Sequence, residues 1–119
     1  MPNSRKLLFA FFLSTAFFIS AQAQNQNTID SLLNVLKMAK EDTSKVNILH
    51  TLCGELSNSP DTVILLGNQA LLLSEKANSK KHIADSYHAI AWANYMKGNY
   101  PASLENNFKA LSLREELAD

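Results

Sequence analysis

Apolar residues along this chain recur at helical rather than strand spacing. Ile29, Leu32, Leu33 and Leu36 fall at i, i+3, i+4 and i+7, one stripe of a helix that the pattern carries to about Glu41. Asn27 or Thr28 stands where it can cap the first turn, and Asp30 suits the positive end of the helix. The break EDTSK is followed by a second stripe, Val46, Leu49, Leu52, Cys53 and Leu56. In SNSPDT, Ser59 precedes Pro60, an N-cap followed by proline at the first helical position, where its missing N–H costs nothing. A third helix is predicted from there to about Ala77, carrying Val63, Leu66, Ala70, Leu73 and Ala77. After ANSKK, a fourth begins near Ser79 with Ile83, Tyr87, Ile90 and Ala91. Gly98-Asn99-Tyr100-Pro101 separates it from a fifth with Leu104, Phe108, Leu111 and Leu117. No segment alternates with period two, so an all-α fold without strands is expected. Breaks this short make neighbouring helices antiparallel.

Ahead of the helices, Arg5 and Lys6 precede an apolar run from Leu7 to Ile19, and Ala21-Gln22-Ala23 places small residues where a signal peptidase reads. This order predicts a secretory signal peptide over residues 1–23, cleaved after Ala23, and export to the periplasm. Residues 24–27 (QNQN) then form a loose polar leader. The alternative is an uncleaved membrane anchor, against which the run is shorter than the roughly 20 residues that span a bilayer. No cysteine follows the run, which disfavours a lipoprotein anchor.

Composition narrows the function classes. Lys and Arg together number 11, as do Asp and Glu, so the chain lacks the basic footprint of a nucleic-acid binder. Cys53 is the single cysteine, so no internal disulfide can form and stability rests on packing. There is no Gly-x-Ser-x-Gly elbow, P-loop, dinucleotide-binding glycine run or His-Glu-x-x-His, and Gly54, Gly67 and Gly98 are isolated. Neither an enzyme nor a cofactor is expected. His50 and Cys53, or His82, Asp85 and His88, are spaced by one helical turn but supply too little for a zinc site, so no metal is expected either.

The chain also repeats itself. Gln69 to Glu75 matches Lys109 to Glu115 at an offset of 40 residues, and Asn47 to Cys53 matches Asp85 to Ala91 at an offset of 38. A period in this range marks a helical solenoid. The second unit resembles the tetratricopeptide repeat: Tyr87, Ile90 and Ala91 stand as its large, large and small positions. Gly98 and Tyr100 form its Gly-x-Tyr turn, and Ser103, Ala110 and Leu111 the small and aliphatic positions of its second helix. The resemblance is good over Ala84 to Leu117 and weaker over Ser44 to Ala77, where SNSPD replaces the Gly-x-Tyr turn. Asn94 and Asn107 stand where the family has large aromatics. The resemblance implies antiparallel helix-turn-helix repeats stacked as a short right-handed α-solenoid: a half-repeat over 28–42, repeats over 44–78 and 81–117, and a continuation beyond Asp119.

It also implies a concave groove. Asp85, His88, Trp92 and Tyr95 fall on the side of the fourth helix opposite Tyr87, Ile90 and Ala91. The equivalent positions of the second helix are Asn47, His50, Gly54 and Ser57, so both faces carry a histidine at one repeat position. A protein or peptide partner is expected there, aromatic residues being frequent binding hot spots. The alternative is that Trp92 packs on a neighbouring helix or a following domain. The basic clamp with which some members grip a C-terminal carboxylate is missing. The layout looks like the extracytoplasmic region of bacterial signalling proteins in which such repeats precede a histidine kinase, a cyclase or a DNA-binding domain. The expected function is therefore an exported interaction module, such as the sensory region of a two-component kinase. A stand-alone periplasmic assembly scaffold is the alternative.

Overall fold

The computed structural model describes the backbone of residues 4–118 and the side chains of that span except 7–22 and 24. Among the described residues every regular element is a helix: α1 (Ser4–Met38), α2 (Thr43–Glu55), α3 (Pro60–Lys76), α4 (Lys80–Met96) and α5 (Tyr100–Ala118). The chain divides after Ser31 into two compact units, and α2 to α5 belong to the second.

In the first unit, residues 24–27 are helical rather than a loose leader. α1 runs through Asn27 and Thr28, so neither begins it, and it stops at Met38, short of Glu41. The reason lies in the sequence: no Gly or Pro stands between Ser4 and Met38, and nothing there breaks a helix once begun. The side chains of the apolar run read as a signal segment lie outside the described residues. No helix among those described is long and apolar enough to cross a membrane.

The later helix boundaries follow local chemistry. Asp42 caps α2, its carboxylate accepting the Ser44 N–H at 2.9 Å, and the Ser44 hydroxyl bond holds this acid below the ordinary carboxylate range. Ser59 occupies the N-cap of α3 before Pro60, but its hydroxyl makes no capping bond; its carbonyl accepts the Val63 N–H at 3.1 Å. The turns α3–α4 and α4–α5 share one construction. In the first, Asn78 (φ 50°) donates to the Glu75 carbonyl and Ser79 to the Ser74 carbonyl; in the second, Gly98 (φ 76°) donates to Tyr95 and Asn99 to Asn94. This is the Schellman closure, in which a left-handed residue satisfies the last carbonyls of the outgoing helix. Ser79 and Asn99 then hold the first turn of the next helix, accepting from Ile83 and Ser103.

Antiparallel packing shows in which ends meet. Val46 and Leu49 from the start of α2 cluster with Ala70 and Leu73 from the end of α3, with Leu36 and Leu66 against them. Cys53 from the end of α2 clusters with Val63 from the start of α3 and Ala93 from the end of α4. α4 packs against α3, α5 and, side by side, α2. It does so through small buried residues, Ala84, Ser86, Ala91 and Ala93, which let three helices approach it. The burial pattern recurs along the chain. Val46, Leu52 and Cys53 reappear 38 positions on as buried Ala84, Ile90 and Ala91, and Val63 and Ala70 reappear 40 on as Ser103 and Ala110.

The fifth helix differs from expectation. Its buried residues are Ser103 and Ala110, whereas Leu104, Phe108, Leu111 and Leu117, read as its core stripe, are all at least half exposed. Tyr100 is exposed as well, and Tyr87 is half-buried with the Lys109 ammonium 5.5 Å over its ring. α4 and α5 meet through small side chains, and the larger residues of α5 lie on a neighbouring face.

Candidate functional site

Between α2, the start of α3 and α4 lies a cavity of about 370 Å³. Cys53, Val63 and Ala89 form its apolar side, and His50, Ser57, Asp85, His88 and Trp92 supply its polar and aromatic groups, with Gly54 on the wall. A second cavity of about 230 Å³ shares His88 and Trp92 and adds Tyr95, Ser103 and Asn107. Of the eight positions placed on the groove from sequence, six therefore line one cavity, and Tyr95 lines the next. Asn47 stands apart, its side-chain oxygen accepting a bond from His82 Nε2 at 3.0 Å.

Trp92 joins the two cavities. It is 47% exposed and stacks on Tyr95, with centroids 5.9 Å apart; Tyr95 in turn lies 5.7 Å from Tyr100 in a tilted arrangement. Three aromatic rings thus run from the outer face of α4 to the start of α5. The α4 register produces the first pair, since residues three apart are neighbours on a helix surface.

A polar seam ties α2 to α4 beneath the cavity. The buried Ser86 hydroxyl donates to the His82 carbonyl at 2.8 Å. Its oxygen lies 2.8 Å from His50 Nε2, and since its one proton is already committed, His50 must donate from Nε2. That leaves Nδ1 of His50 as a lone-pair acceptor. His82 donates from Nε2 to Asn47 and accepts at Nδ1 from the Ser79 hydroxyl, 2.6 Å away. The two imidazoles stack with centroids 6.3 Å apart. Burial pushes the His50 pKa below the ordinary histidine value, with His82 adding to the shift and the Asp85 carboxylate opposing it. Asp85 also accepts from Arg114 of α5 at 3.2 Å, so one carboxylate serves both the cavity and the α4–α5 seam.

Ser86 and His50 resemble a nucleophile and its base only by distance, because the hydroxyl proton points to a backbone carbonyl and the serine is fully buried. Burial raises the Cys53 thiol to about 11, far from a reactive thiolate, and its sulfur lies 3.8 Å from the Val63 carbonyl oxygen. Among the described residues, no three His, Cys, Asp or Glu side chains gather as metal ligands.

From spacing alone Cys53 and Val63 read as core positions, and Ala89 falls on neither the core stripe nor the groove positions of its helix, so none of the three is placed on the groove. In the sequence His82 stands out only as a possible metal ligand. Its spacing of one helical turn from both Ser79 and Ser86 was the available signal for a hydrogen-bonded role.

No protein-family model, curated protein or solved structure matches this chain.

Proposed function

We propose that the helices from Leu32 onward form a protein-interaction module of helix-turn-helix repeats, a short right-handed α-solenoid resembling tetratricopeptide arrays, with the Trp92 cavity as its peptide-binding groove. The observation that carries the reading is Trp92 itself: a large aromatic side chain, nearly half exposed, at the junction of two cavities rather than inside the core. An indole so placed is a ready anchor for a partner side chain. The repeated burial pattern and the paired Schellman turns support the repeat architecture. The basic start and apolar run at residues 5–19 support export to the periplasm, and the resemblance supports a place in the sensory region of a two-component kinase. The exposed apolar face of α5, Leu104, Phe108 and Leu111, favours a second reading, a scaffold built by further stacking on that face.

The test is a selection of phage-displayed random heptapeptides on the full chain and on Trp92→Ala. A groove reader enriches sequences on the wild type alone, while the two proteins melt together. Equal enrichment on both proteins, or none on either, overturns the reading.

A further inference from the structure

The charges around the first cavity indicate what it takes. We propose that it receives the basic side chain, lysine or arginine, of an extended peptide. This inference rests on the groove reading above and adds the class of side chain. Apart from histidines, Asp85 is the only lining residue with an ionisable side chain of either the acidic or the basic type, Cys53 being held as the neutral thiol. Two further polar groups of the lining residues can accept, the Ser57 hydroxyl and the Nδ1 lone pair of His50, whose Nε2 proton is spent on Ser86. Burial disfavours a second proton on that ring, so His50 presents no cation to repel an incoming one.

Shape agrees with charge. Lysine and arginine carry a long apolar stem beneath a charged head. Cys53, Val63 and Ala89 offer that stem an apolar wall, and Gly54 adds no side chain to block it. The head then lies among the Asp85 carboxylate and Trp92, an aromatic ring of the kind whose quadrupole attracts cations. The Arg114 bond uses one Asp85 oxygen, Oδ1, and a carboxylate has lone pairs for further donors. An acidic side chain would meet that carboxylate with no lysine or arginine on the cavity wall to offset it.

The experiment reads the emission of Trp92, the only tryptophan, on titrating the full chain with capped pentapeptides Gly-Gly-X-Gly-Gly in which X is Arg, Lys, Leu or Glu. Arg and Lys peptides are expected to give saturable changes at concentrations about tenfold below those of the Leu and Glu peptides, the discrimination that one charge-assisted bond provides. Asp85→Asn is expected to reduce that difference to about twofold, again the loss of that one bond. Arg114→Ala removes the same ion pair from the fold but keeps the carboxylate, and it is expected to retain or sharpen the preference. Tighter binding of the Leu peptide, or a preference that survives Asp85→Asn, overturns the basic-side-chain assignment and leaves the groove reading standing. No saturable change with any of the four, together with no phage enrichment that depends on Trp92, overturns both.

Discussion

Gly67 of α3 lies against Ile90 of α4 so closely that a Cβ built on the glycine would stand 2.8 Å from Ile90 Cγ1. Ile90 is buried and β-branched, with a stiff χ1 on a helix, so it has little room to turn aside. Alanine at 67 gains about 1 kcal/mol of helix propensity but overpacks the contact by about 1–3 kcal/mol. Gly67→Ala should therefore lower stability by roughly 1 kcal/mol. In an Ile90→Ala background, where Cγ1 is gone, the same change should be neutral or stabilising. A double-mutant cycle in urea measures the coupling, and additive effects would show that the two helices do not meet here.

The two left-handed turn residues offer an exchange test. Gly98, at φ 76°, has open space around it, so a substitution there is governed by backbone strain alone. Gly98→Ala should cost about 1–2 kcal/mol. Gly98→Asn should cost less, because Asn78 already occupies the corresponding place of the preceding turn at φ 50°. Thermal melts of the two variants rank these costs directly.

Acid should weaken the α2–α4 seam through His50. Its folded-state pKa lies below the ordinary value of 6.5, so as pH falls the unfolded chain takes up a proton before the folded one does. The unfolded state then binds more protons, and stability is lost on acidification below about pH 6.5–7 while remaining intact above it. His50→Gln, which keeps a donor but cannot titrate, should show a flatter loss between about pH 7 and 5. Urea midpoints of both proteins at the two ends of that range decide the matter; parallel loss would mean that His50 is not the titrating group.

Cys53 should be a slow thiol. A rise from 9.0 to about 11 leaves roughly a hundredfold less thiolate at neutral pH than an exposed cysteine carries, before any hindrance from burial. Iodoacetamide should therefore label the native protein at least about a hundredfold more slowly than the urea-unfolded chain. Matching rates would place the sulfur in solvent.

The sequence was most legible where chemistry is local. Pro60, Ser79 and the Gly98 turn fixed the later helix boundaries, and the spacing of Asp85, His88 and Trp92 placed three side chains on one face, where they line one cavity. It was least legible where two faces of a helix carry apolar residues. In α5, periodicity favours the bulky Leu104, Phe108 and Leu111, yet Ser103 and Ala110 are buried, because α4 approaches closely only where side chains are small. Spacing shows that a stripe exists but not which stripe a neighbour covers. The start of α1 was hidden for a different reason. Asn and Gln read as a polar leader, but neither residue forbids a helix, and no proline or glycine stands between Ser4 and Met38 to break one.

The Trp92 cavity has walls from α2 and α4, segments separated along the chain by the whole of α3. Its occupant would act as a rivet across that gap, touching coils that no short loop connects. A filled cavity should therefore resist the pulling of α2 away from α4 better than an empty one, turning a chemical event at one indole into mechanical stiffness between those helices.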